Sequence, residues 1–141
     1  MTKRNKIIYW VATILLALGM FTGGIYWVIT ALLSSGKFSG ELLRIEENID
    51  KITFLGYQVY FMSILGTWKI LGVISILIPK FKLLKEWAYA GFFFVLTGAI
   101  ISHIAKGDSF LEFISPLFFV LLTVISWYFR PADRKIILDK N

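Results

Sequence analysis

Residues Tyr57 to Ile78 read YQVYFMSILGTWKILGVISILI. The stretch is apolar along most of its length. At about 1.5 Å per residue, a helix over it reaches across the ~30 Å hydrocarbon core of a bilayer. One charge interrupts it. Lys69 stands about ten residues from the end closed by Pro79, which is near mid-membrane. A charge at that depth costs about 2.5–3.5 kcal/mol on insertion scales, and is kept where it faces a protein interior or a wet cavity.

The same apolar pattern recurs on both sides. Residues 7–33 carry no charge and form a first span. The basic leader of Lys3, Arg4 and Lys6, followed by small residues at Thr22, Gly23 and Gly24, also fits a cleaved signal peptide. The apolar run continues through Ile25 to Leu33, so a retained span is the reading. Gly19 and Gly23 have the GxxxG spacing that lets helices approach closely. After a basic loop with Lys80, Lys82 and Lys85, residues 87–105 give a third span. Residues 113–129 give a fourth, stopped by Arg130-Pro131. Pro116 is expected in the first turn of that helix, where no N–H is needed.

Residues 39–53 differ in character. Leu42, Ile45, Ile49 and Ile52 recur at steps of three and four, with Arg44, Glu46, Glu47, Asp50 and Lys51 between them. Ser39 is placed to cap the start, with Glu41 near the positive end of the dipole. This predicts an amphipathic helix, too short and too charged to span, lying at the interface. The expected fold class is an all-α membrane protein. It is a four-transmembrane-helix bundle with a short amphipathic interfacial helix between the first two spans, in one integral membrane domain over 1–141.

Composition agrees. The 141 residues are 57% hydrophobic and 17% aromatic, with mean hydropathy +0.74. The net charge of +6 sits at the ends of apolar runs, where lipid headgroups and the positive-inside bias account for it. It is not a nucleic-acid footprint. With the N-terminus inside, ten Lys and Arg fall on the inner side and four on the outer. Both termini are therefore expected on the cytoplasmic face of a bacterial inner membrane. The absence of cysteine excludes disulfides, thiol redox catalysis and thiolate metal sites. A single histidine cannot supply bis-histidine haem ligation or a three-histidine metal site.

Lys69 is the leading candidate for a binding role. Gly66 and Gly72 lie three residues to either side and lower the side-chain volume around it, leaving room for a cavity or a closely packed neighbour. Such a lysine could bind an anionic or carbonyl-bearing ligand, or relay a proton. The plainer reading is that it snorkels or donates to helix carbonyls. No Asp or Glu occurs inside any span, so polar company at that depth comes from hydroxyls such as Thr97 and Thr123. His103, beside Ser102 and shortly before Asp108, could hydrogen-bond a ligand at the outer mouth. The plainer reading is a bond to Asp108 or to water. Glu86, opening the third span, is accounted for by the helix dipole. The ligand-binding candidates are thus Lys69, Gly66, Gly72, Thr97, Ser102, His103 and Asp108. No catalytic or metal-ligating set is evident. The runs Phe92-Phe93-Phe94 and Phe118-Phe119 suit packing, lipid contact or a quinone ring alike.

The run from Leu65 to Gly72, then Pro79, then Leu84-Lys85-Glu86-Trp87-Ala88-Tyr89-Ala90-Gly91, resembles the DoxX-like small membrane proteins. Gly98-Ala99, Ser102-His103, Gly107-Asp108 and Arg130-Pro131 extend the resemblance across most of 55–134. Two positions depart from it. Gly56-Tyr57-Gln58 stands where the pattern often has Gly-Tyr-Pro, and Val95 stands where it often has an acid in the third helix. Without that acid an ion pair with Lys69 does not carry over. The resemblance implies a four-helix inner-membrane protein, with relatives in a thiosulfate:quinone oxidoreductase and in oxidative-stress complexes.

The functional expectation is a non-catalytic membrane subunit or accessory protein with no stand-alone activity, binding a lipid-like or quinone-like ligand near Lys69. Its partners would be the lipid bilayer and a second protein or another copy of the chain, with no nucleic acid. No cofactor is evident in the residues; a quinone is the one considered. The alternatives are a small proton-coupled transporter and the membrane subunit of a quinone-linked oxidoreductase complex.

Overall fold

The computed structural model describes residues 1–34 and 45–136. Five helices follow one another: α1 (Lys3–Ser34), α2 (Ile45–Phe54), α3 (Tyr60–Leu77), α4 (Lys82–Lys106) and α5 (Phe110–Tyr128). A 3-10 turn over Ala132–Arg134 follows α5. Among the described residues there is no strand. Four helices, α1, α3, α4 and α5, are long and apolar enough to cross a membrane. The chain is a four-helix membrane bundle with a short amphipathic helix, α2, between the first two spans. The expected start of that helix, including Ser39, Glu41, Leu42 and Arg44, lies outside the described residues.

Two connections are tighter than the sequence suggests. Lys80 and Phe81 take positive φ values of 63° and 38°, so the chain reverses within the turn. Side chains there are strained, at about 1–2 kcal/mol per residue. The consequence is that α4 begins at Lys82, five residues before the expected 87. Lys82 and Lys85 are helical and not part of a loop. At the other end, α5 begins at Phe110, so Pro116 sits inside the helix and not in its first turn.

Two helices end on a left-handed glycine. At the end of α2, Gly56 has φ 91°, its N–H bonds the Thr53 carbonyl, and Tyr57 N–H bonds the Ile52 carbonyl. At the end of α4, Gly107 has φ 72°, its N–H bonds the Ile104 carbonyl, and Asp108 N–H bonds the His103 carbonyl. Both pairs are the Schellman arrangement, which satisfies carbonyls that a helix end leaves open.

The chain divides into two compact units, Met1–Gly19 with Gly72–Asn141, and Met20–Leu71. In the first unit, Tyr9, Leu16, Ile76, Tyr89, Phe92 and Leu122 are buried. Gly72 admits the edge of the Phe92 ring, 2.6 Å from where a Cβ would stand. In the second unit, Met20, Ile52 and Met62 are buried, and α1 meets α3 backbone to backbone at Gly24 and Gly66. Along α1 the exposed residues Ile7, Val11, Ile14, Leu18, Phe21 and Ile25 recur at alternating steps of four and three. That is an apolar stripe turned outward, which is favourable where the surroundings are lipid.

Candidate functional site

The first unit holds a dense polar cluster where α4 begins and α5 ends. Glu86 lies in the second turn of α4, and Arg130 follows the end of α5. Arg130 Nη2 donates to Glu86 Oε1 at 2.8 Å. The Trp127 indole N–H donates to Glu86 Oε2 at 3.0 Å, and Arg130 Nε donates to the Trp127 carbonyl at 3.0 Å. The Arg130 side chain is 2% exposed and that of Glu86 29%. The guanidinium carbon lies 4.9 Å from the Tyr89 ring centroid and 5.6 Å from that of Trp127. Arg130 Nη1 is buried and has no hydrogen-bond partner among the described residues.

Deeper in the unit, hydroxyls form a short chain. Tyr89 Oη and Ser126 Oγ are 2.7 Å apart. Ser126 Oγ and Thr13 Oγ1 are 2.6 Å apart, and Thr13 donates to the Tyr9 carbonyl. Each polar atom so buried needs such a partner, because an unpaired one costs about 1–3 kcal/mol.

Two further cations close the carbonyl end of α3. Lys85 is fully buried. Its Nζ donates to the Ser75 carbonyl at 2.9 Å and to the Ile78 carbonyl. Arg134 donates to the Ile76 carbonyl at 3.0 Å and to Tyr9 Oη at 3.3 Å. Cations at a helix C-terminus oppose its dipole and satisfy its last carbonyls.

Against this cluster, α4 and α5 enclose an open groove of about 500 Å³. Trp87, Ala90, Phe93 and Phe94 line it from α4, and Val124 and Trp127 from α5. Glu86, Tyr89 and Thr123 supply its few polar atoms. The Thr123 hydroxyl is engaged by the Phe119 carbonyl, and the Tyr89 hydroxyl by Ser126. The groove is therefore apolar along its length and polar at the Glu86 end. Its volume lies within the range of small-molecule sites, about 300–1,000 Å³.

The residues singled out in the sequence are distributed differently. Lys69 belongs to the second unit. Its ammonium stands 3.5 Å from the centroid of the Trp27 ring. Gly66 is filled by a close neighbour: an added Cβ would lie 2.7 Å from the Gly24 carbonyl oxygen. Gly72, in the first unit, is filled by Phe92. Thr97 donates to the Phe93 carbonyl at 2.7 Å, and Ser102 to the Gly98 carbonyl at 2.9 Å. His103 and Asp108 are brought together, Nδ1 to Oδ2 at 2.6 Å. The Gly107 turn does this, since it folds Asp108 back over the last turn of α4.

The cation–π contact is worth up to about 2 kcal/mol when desolvated, against about 2.5–3.5 kcal/mol for placing a lysine at mid-span. Lys69→Met keeps an unbranched stem and a favourable sulfur–aromatic contact. We expect it to raise thermal stability in detergent by about 1 kcal/mol. A lower melting temperature for this variant would show that the lysine stabilises the fold.

Sequence patterning does not disclose the Glu86–Arg130–Trp127 cluster. It assigns Glu86 to the dipole and Arg130 to a helix stop, because the partners are more than 40 residues apart and no periodicity links them. A signal is present nonetheless. Glu86, Trp87, Tyr89 and Ala90, from the Lys85–Gly91 run that carries much of the DoxX-like resemblance, line this groove, and Arg130 is bonded to Glu86.

The sequence model of the DoxX-like family matches residues 11–126. No curated protein and no solved structure matches the chain.

Proposed function

The chain belongs to the DoxX-like family, and we propose that it is a non-catalytic accessory protein of the membrane. In this reading it holds a lipid-like or quinone-like amphiphile in the groove between α4 and α5. The observation that carries the reading is the groove itself, about 500 Å³, aromatic along its length, with a carboxylate at one end. Amphiphile sites need an apolar trough and a few placed polar groups. We favour this groove over Lys69, whose ammonium is engaged by Trp27 and whose neighbour Gly66 is closed by α1.

We also propose that both termini face the cytoplasm of a bacterial inner membrane. The count of ten inner against four outer Lys and Arg supports this.

The test is to purify the protein in mild detergent and measure retained lipids and quinones by native mass spectrometry. Ala90 lines the groove, and Ala90→Trp fills it. We expect Ala90→Trp to lose at least about tenfold of the retained amphiphile, a loss of about 1.4 kcal/mol. Lys69→Met is expected to retain as much as the wild type. Equal retention in wild type and Ala90→Trp would overturn the proposal. Loss in Lys69→Met alone would move the site to α3.

A further inference from the structure

The polar end of the groove has a definite hydrogen-bonding character, and assigning a head group to it rests on the proposed function, an amphiphile in the groove. Glu86 presents an acceptor-only carboxylate, 29% exposed in its side chain. A carboxylate has about four lone-pair sites. Arg130 and Trp127 occupy one on each oxygen, which leaves acceptor capacity on both. A head with N–H donors can use it. A head without donors gains no hydrogen bond from it.

Arg130 carries the complementary vacancy. Its side chain is 2% exposed, and its Nη1 has no hydrogen-bond partner among the described residues. A buried open guanidinium donor is costly unless an acceptor reaches it. The guanidinium is in contact with the rings of Tyr89 and Trp127, both of which line the groove. An open acceptor and an open donor thus belong to two side chains joined at 2.8 Å. A matching head carries a donor cation and an acceptor anion a few atoms apart. It also carries chains able to lie along Ala90, Phe93 and Val124.

We propose that the Glu86–Arg130 end of the groove recognises the head of a zwitterionic aminophospholipid. The ammonium N–H groups donate to the Glu86 carboxylate. The phosphate accepts from Arg130 Nη1, which it reaches as the Trp127 indole turns aside and an ammonium N–H takes its place on Glu86 Oε2. Charge-assisted bonds of this kind are about twice as strong as neutral ones.

Matched lipids test it. Phosphatidylethanolamine and phosphatidylcholine of identical chains share the phosphate and the positive charge, but only the first has N–H donors. Delipidated protein is titrated with each by native mass spectrometry. We expect phosphatidylethanolamine to bind about tenfold more tightly, and Glu86→Gln to bring the two within about twofold of each other. Equal affinity of the wild type for the two lipids would overturn the head assignment without use of any variant. So would a preference that survives Glu86→Gln. If the lipids bind equally and Ala90→Trp abolishes both, the groove stands and the head assignment falls. If Ala90→Trp changes neither, both readings fall. Preference for a hydroquinone over its quinone, with no preference between the phospholipids, would also overturn the aminophospholipid and assign the groove to a hydroxylated ring lipid.

Discussion

Glu86→Ala is expected to destabilise the protein by up to about 3–5 kcal/mol, the cost of stranding the buried member of an ion pair. Arg130 is the member left. Its side chain is 2% exposed, and its Nη1 already lacks a hydrogen-bond partner among the described residues. Removing the carboxylate also frees the Trp127 indole N–H. A second substitution separates the charge from the packing. In the double variant Glu86→Ala with Arg130→Met, no charge is stranded, and a long apolar side chain replaces the guanidinium beside Tyr89 and Trp127. Most of the lost stability should return, because a buried pair replaced by apolar residues of similar volume is often neutral. Thermal unfolding of the two variants and of Arg130→Met alone completes the cycle. Additive losses would show that Glu86 and Arg130 do not act as a pair.

Gly66→Val is expected to cost about 1–3 kcal/mol or more, the range for overpacking a site that cannot yield. The added Cβ would lie 2.7 Å from the Gly24 carbonyl oxygen and 3.1 Å from the Val28 backbone nitrogen. Both are backbone atoms, so α1 and α3 must move apart locally. The neighbouring glycine on α1 provides the control. Nothing lies within 4 Å of a Cβ added at Gly23, so Gly23→Ala should stabilise by about 0.5–1 kcal/mol through helix propensity alone. Thermal unfolding in one detergent compares the two. A Gly66→Val protein as stable as wild type would contradict the backbone contact.

That pair of glycines shows what the sequence conveyed and what it withheld. The spans were legible because long uncharged runs follow from the thickness of the bilayer, whatever packs against them. Helix contacts were not, because they depend on which face of one helix meets which face of another. The Gly19–Gly23 spacing suggested a GxxxG contact. In the structure Gly19 is covered by the Phe119 ring, Gly23 is open, and Gly24 makes the close approach. Lys69 was conspicuous because a charge in an apolar run stands out, but its partner is an aromatic face on α1, which no spacing rule reveals. His103 and Asp108 were legible as a pair because the Gly107 turn between them is local. Lys85 and Arg130 looked like interfacial charges by composition. Their burial depends on α4 starting at Lys82 and on where α5 ends.

An amphiphile lying between α4 and α5 with its head at Glu86 can be located by photocrosslinking. The wild-type protein would be irradiated with a phosphatidylethanolamine carrying a diazirine in one chain, and the labelled peptides mapped by mass spectrometry. Occupancy of the groove predicts labels concentrated in residues 86–94 and 123–127, and lost from them in Ala90→Trp. Labels spread evenly along the exposed stripe of α1 from Ile7 to Ile25, with none enriched in the groove, would contradict it.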